Sequence, residues 1–184
     1  MTHIAPLPKE GITDPELKAL IAEGEALGVP DNLFPCILAR APEQAVPLMR
    51  ALIMSHGQGN VDHRLKEIIR ILLARFANDK YFASLRSAKA RAMGLTEQRI
   101  DDGCSFYEDD AKGFSAAEKC ALRYADLMFL GANQLDKAFY DEMKKYWTEA
   151  QIMELGAFIA FHYGMQMFMR SLGAVPRASH SDGG

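Results

Sequence analysis

The sequence predicts an all-α fold, a single domain built as a helical bundle, on three observations. Apolar residues recur every three or four positions through most of its 184 residues. Capping residues stand before these runs, and glycine or proline stands after them. No stretch alternates apolar and polar residues with the β-branched enrichment of strands. Hydrophobic residues at 49% and charged residues at 24% supply a packed core rather than a disordered chain. About seven to nine helices are expected on this periodicity.

Residues 1–12 carry prolines and few apolar anchors and read as an N-terminal arm. The helical domain then spans 13–176, and 177–184 reads as a disordered tail. Thr13 or Asp14 caps a first helix, with Pro15 in the first turn, where its missing N–H would be unpaired anyway. Leu17, Leu20, Ile21 and Leu27 form its apolar face, and Gly28 and Pro30 end it. Helices are expected over 32–40 and 42–56 before the Gly57–Asn60 break. Residues 61–78 form the first arm of a hairpin. The stripe of Leu65, Ile68, Ile69, Leu72, Leu73 and Phe76 is wide enough for burial on more than one side. The second arm runs over 79–93 to Gly94, and Thr96 caps the next helix. Ser115 and Glu118 form a capping box. Asp136 starts a helix to Tyr146, and Thr148 caps a long last helix to Gly173.

The net charge of −3 is mixed along the chain, which argues against a nucleic-acid partner. No apolar run approaches the ~20 residues that span a bilayer, so no membrane association is expected. Cys36, Cys104 and Cys120 are odd in number and widely spaced, pointing to a reducing, cytoplasmic setting. No His/Cys/Asp/Glu spacing suits a metal, and no glycine-rich loop suits a phosphate, so neither metal nor cofactor is expected.

The stretch 65–100, LKEIIRILLARFANDKYFASLRSAKARAMGLTEQRI, resembles the core hairpin of the carboxymuconolactone decarboxylase and alkylhydroperoxidase D family. That pattern has a glutamate on one helix, C-x-x-C-x-x-x-H opening the next, and G-L-[ST]-x-x-x-[IV] closing it. Residues 114–128 (FSAAEKCALRYADLM) and 147–173 are similar to the family's later helices, so the resemblance runs from about residue 32 to 176. It implies a homo-oligomer, trimeric or hexameric, with a small-molecule pocket at the hairpin. Some members decarboxylate a lactone and others reduce peroxides.

The departures redirect the chemistry. Glu67 matches the family glutamate, but Asp79, Phe82 and Arg86 stand where the two cysteines and the histidine would be. Thiol peroxidation needs an attacking and a resolving sulfur, which Asp79 and Phe82 do not supply. Arg86 stays protonated, so it serves as an anion clamp rather than a base. It meets either Glu67 or an anionic group of a small-molecule substrate. As a partly buried carboxylate, Glu67 is expected to have a raised pKa and to act as base or acid. Arg70, at (i, i+3) from it, reads as a surface or intersubunit ion pair. Asp79, Phe82 and Arg86, at i, i+3 and i+7, share one face of the expected helix; Asp79 reads either as an auxiliary catalytic donor or as the N-cap of that helix.

Tyr81 and Phe82 are candidate pocket walls, Tyr81 with a hydrogen bond to offer. His162, inside the apolar run FIAFHYGMQMF, is either a satisfied core histidine or a second acid–base group. His56, before the glycine-rich break, lines the same cleft or lies on the surface. His3, His63 and His180 look exposed. Met153, Met165, Met167 and Met169 read as adaptable core or interface. Three functions stay open: a cofactor-independent acid–base enzyme (a lyase, decarboxylase or isomerase) on a small organic acid or lactone; a redox-dead binding or assembly protein; and residual thiol peroxidase chemistry through Cys104 or Cys120.

Overall fold

The computed structural model describes residues 2–30 and 33–173. Its centre is helix α4, His63–Phe76, which Asp62 caps by accepting from the Arg64 amide. Eleven of its fourteen residues are buried, among them His63, Lys66, Glu67 and Arg70. Burial on all sides is what the wide apolar stripe predicts. Each of Leu65, Ile68, Ile69, Ile71, Leu72 and Leu73 is at most 3% exposed, and full burial of such a side chain contributes about 1.5–3 kcal/mol.

On one side of α4 lie α1 (Pro15–Ala26), α2 (Leu33–Leu38) and α3 (Pro42–Gly57). Their core joins Leu17, Phe34, Met49 and Ile53 to Tyr81, Phe82 and Met169. On the other side lie α7 (Glu97–Ser105), α8 (Ala116–Leu130), α9 (Lys137–Met143) and α10 (Glu149–Ser171). There Ile68, Leu72, Leu122, Phe139, Leu155 and Ile159 share a second core. Helix α7 approaches α4 through Gly103: a Cβ there would lie 2.5 Å from Ile68 Cγ2, so a side chain would force the helices apart.

The caps fall where the sequence places them. Asp14, Thr96, Ser115, Asp136 and Thr148 each accept from a backbone amide in the first turn of α1, α7, α8, α9 and α10. Ser115–Glu118 and Thr148–Gln151 are complete capping boxes. The second hairpin arm differs from expectation. It divides into α5 (Lys80–Ser84) and α6 (Ala88–Ala92), separated by Leu85, Arg86 and Ser87. Leu85 is extended, at φ −71° and ψ 147°. No glycine or proline marks this break; Ser87 caps α6 by accepting from the Ala90 amide at 3.2 Å, and a long-range contact described below holds the end of α5.

The arm lies along the domain. The His3 amide donates to the Leu172 carbonyl, the Leu7 amide to Cys36, and Arg40 to Ala5. The tail expected to be disordered, 177–184, lies outside the described residues, as does Val175–Pro176. No described helix is long and apolar enough to cross a membrane.

Candidate active site

Two charges buried inside an apolar helix must find each other, and on α4 they do. Arg70 donates from Nε to Glu67 Oε2 at 2.8 Å and from Nη2 to Glu67 Oε1 at 2.7 Å. The two side chains are 2% and 1% exposed. The same guanidinium donates to the Phe82 carbonyl at 2.9 Å and the Leu85 carbonyl at 2.8 Å. These carbonyls lie where α5 ends, the first also accepting from the Leu85 amide and the second from Arg86, so Arg70 helps to cap α5 from another helix. The Ser87 amide completes the arrangement by donating to Glu67 Oε1 at 2.8 Å.

This geometry corrects two readings. Arg70 is the buried partner of Glu67, not a surface pair. Burial raises the Glu67 pKa, but the charge and hydrogen bonds of Arg70, with the Ser87 amide, outweigh it and leave the carboxyl below its ordinary value. Glu67 is thus a fixed anion with its oxygens engaged, in place of the raised carboxyl expected from burial alone.

Arg86 is likewise moved. It lies in the break, off any helix face shared with Asp79 and Phe82. It pairs with Glu97, Nε lying 3.0 Å from both carboxylate oxygens, and donates to the Ala83 and Leu85 carbonyls. The position that would face Glu67 is taken by Arg70. Asp79 is the α5 N-cap, accepting from the Phe82 amide at 3.0 Å. Tyr81 is buried edge-on against Phe82, ring centroids 4.9 Å apart.

Three histidines from three helices meet beside the ion pair. His56 closes α3, His63 opens α4 and His162 sits midway along α10; their exposures are 3%, 6% and 4%. The His56 ring centroid lies 5.3 Å from His63 and 5.7 Å from His162. His63 is therefore not exposed as expected, and His56 is in the interior rather than on the surface. Desolvation holds His56 and His63 at about 4, reinforced by nearby Arg70 at His56 and Lys89 at His63, against the opposing charge of Glu67. His162 lies well below its ordinary value for the same first reason. All three imidazoles are neutral near pH 7.

Their hydrogen bonds are short-handed. His63 Nε2 meets Ser87 Oγ at 2.9 Å, while its Nδ1 has no partner among the described residues. His56 Nδ1 faces the Leu52 carbonyl at 3.3 Å, and His162 Nε2 faces Ser55 Oγ at 3.4 Å. Gln166, one helical turn past His162, donates from Nε2 to the Arg70 carbonyl at 3.0 Å; its buried Oε1 accepts nothing from the described residues. His56, Arg70, Phe82, His162, Met165 and Gln166 are among the walls of a cavity of ≈ 20 Å³, room for about one water-sized group. Of the residues singled out in the sequence, His56, Phe82 and His162 reach this cavity; Glu67, Asp79, Tyr81 and Arg86 are not in its walls.

The sequence reading missed Arg70, His63, Gln166 and Ser55. Signals existed for three of them. Arg70 is flanked by Ile69 and Ile71 inside the widest apolar stripe. His63 is at i−4 from Glu67, and Gln166 at i+4 from His162, each on the same helix face as a residue already chosen. Ser55 carried no such mark.

The cysteines lie apart, on α2, α7 and α8. Burial pushes the Cys104 thiol up to about 11 and also raises Cys120, so neither is primed as a thiolate.

The all-α scaffold has the fold of solved structures that include an alkylhydroperoxidase D core. The debrominase Bmp8, in a cysteine-to-alanine variant in complex with 2,3,4-tribromopyrrole, superimposes with a TM-score of 0.80 at 20% identity, covering 97% of this chain and 93% of that one. A peroxidase-related protein with the alkylhydroperoxidase core from Ralstonia eutropha JMP134 gives 0.77 at 15% identity, covering 95% and 92%. The uncharacterized protein YdfG of Bacillus subtilis (strain 168) is 23% identical over 116 residues, 62% of this chain and 77% of that protein. No family model matches the chain.

Proposed function

We propose that this chain is a carboxymuconolactone decarboxylase-like enzyme that transfers protons on a small organic molecule without a cofactor. His56 and His162 are the proton-carrying groups. Glu67 and Arg70 set the field around them, and Gln166 receives a hydrogen bond from the substrate. One observation carries this reading: two neutral imidazoles, and an amide oxygen that accepts nothing from the described residues, converge on one cavity. A neutral imidazole at pH 7 is a competent base, and the orphaned acceptor prefers a donor such as a hydroxyl.

The walls of the cavity are otherwise apolar, and its arginine is engaged by Glu67. A hydroxy compound, lactone or neutral acid therefore fits better than the anion expected when Arg86 was its clamp. Glu67, Asp79 and Arg86 become positioning groups. Assembly as a homo-oligomer and a cytoplasmic location belong to the same reading, the first from the resemblance and the second from the separated cysteines.

The test is proton exchange. Hydroxy acids, lactones and β-keto acids are incubated with the protein in D2O and deuterium incorporation is followed by mass spectrometry. At least one compound is expected to exchange, with the rate falling about 100-fold or more in His162→Gln. Exchange no faster than without protein across the panel, or unaltered by both His56→Gln and His162→Gln, overturns the proposal and leaves a binding or assembly role. The small size of the cavity favours that second reading, and the same assay separates the two.

A further inference from the structure

A cavity of one water's size receives only the reacting end of a substrate, so its body must lie elsewhere. Immediately beyond the cavity, between α3 and α10, runs a cleft of ≈ 540 Å³, within the range of small-molecule sites. Phe161 belongs to the walls of both spaces and is the partition between them. Ser55 is the polar link: it lines the cleft, and its Oγ lies 3.4 Å from His162 Nε2 and 3.5 Å from His56 Nδ1.

Met54, Met153, Ala157, Phe158 and Phe161 supply apolar surface, with Met54 and Met153 56% and 63% exposed. Among them lies Lys66, its Nζ 5.8 Å from the Phe158 ring centroid and its side chain only 2% exposed. It donates to the Gln58 carbonyl at 3.0 Å and to Glu154 Oε1 at 2.9 Å. An ammonium has three N–H bonds and two are used among the described residues, which leaves one for a ligand. Glu154 balances the charge of Lys66 and is itself held by the Asn60 and Val61 amides. The Lys66–Glu154 pair is thus neutral overall and offers one strong donor, and apart from Ser55, Gln58 and Glu154 itself the walls are mostly apolar. That matches an uncharged apolar compound carrying one acceptor oxygen.

We infer that the α3–α10 cleft binds the body of such a compound, a neutral ring or chain carbonyl, with its oxygen on Lys66 and Phe161 turning aside to admit the reacting end to His162. Only the last step rests on the proton-transfer reading; binding in the cleft stands without it.

The neutral fluorescent naphthyl ketone Prodan is the probe. Titrated with the full chain, its emission is expected to shift to the blue with one saturable site. Ala157→Trp, at an exposed helix position, fills the cleft and is expected to remove the shift. Lys66→Met is expected to weaken binding about tenfold, with thermal melts reporting that each variant is folded. His162→Gln is expected to bind as the unaltered chain does, so a failed exchange assay with intact Prodan binding refutes the proton-transfer reading alone. No saturable shift, or a shift unchanged in Ala157→Trp, overturns the inference. So does binding that falls as protein concentration rises together with an assembly that Ala157→Trp dissolves, because the cleft then seats a second copy of the chain.

Discussion

Replacing Arg70 with methionine tests the arrangement at its most constrained point. Among the described residues the guanidinium makes four hydrogen bonds, two to Glu67 and one each to the Phe82 and Leu85 carbonyls. Methionine fills much of the volume but makes none of them. Glu67 is left as an anion at 1% exposure, held only by the Ser87 amide. Removing one member of a buried pair costs about 3–5 kcal/mol, roughly a fifth or more of the stability of an ordinary domain. The double variant Glu67→Gln/Arg70→Met removes the stranded charge, while the new amide oxygen still accepts from Ser87. It is expected to be more stable than Arg70→Met alone by about 2 kcal/mol, the reverse of additivity. Urea denaturation followed by circular dichroism measures both, with a constant m-value reporting an unchanged fold. A loss below about 1 kcal/mol in Arg70→Met, or additive losses in the pair, would refute the claim that this ion pair organises the site.

Acidification acts on the same cluster. His56 and His63 titrate at about 4 when folded and near 6.5 when unfolded, so between these values the unfolded chain binds more protons and stability falls with pH. The loss at pH 5 is on the order of 2 kcal/mol for each, absent above neutrality and complete near pH 4; a melting temperature that is flat from pH 7.5 to 5 contradicts it. Asp79→Ala removes the α5 cap and is expected to destabilise by about 1 kcal/mol, read by urea denaturation. Gly59 stands at φ +103° with its Cβ direction filled by the Glu154 carboxylate; Gly59→Ala is expected to cost about 1–3 kcal/mol in the same measurement. Peroxide consumption is expected to be unaltered by Cys104→Ser and Cys120→Ser, and a drop in either variant would restore thiol chemistry to consideration.

Local signals were legible and long-range ones were not. Asp14, Ser115, Asp136 and Thr148 act on amides within three residues, so their sequence neighbourhood suffices to place them. The burial of α4 follows from the width of its own stripe. The break at 85–87 follows only in part: Ser87 caps α6 locally, but Arg70 holds the end of α5 from fifteen residues away in the chain. Arg86 was misplaced for the same reason: a helix assumed continuous carries Asp79, Phe82 and Arg86 on one face, whereas a three-residue interruption turns the last toward Glu97. Of the site, Glu67, His56, Phe82 and His162 could be singled out because each is chemically conspicuous in an apolar run. Their neutrality, and the saturation of Glu67, depend on neighbours brought in by folding.

Asp79 occupies the position where the resembling family keeps its first sulfur, yet here it holds the amide of Phe82 and so shapes the start of α5. Installing thiols at 79 and 82 to make a peroxidase of this scaffold would therefore do more than add reactive atoms. The first substitution strips a short helix of its anchor, and the second takes an aromatic ring out of the floor beneath the histidines. A redesign would have to furnish a new anchor and new bulk at once, so a one-step retrofit to redox chemistry is closed to this chain.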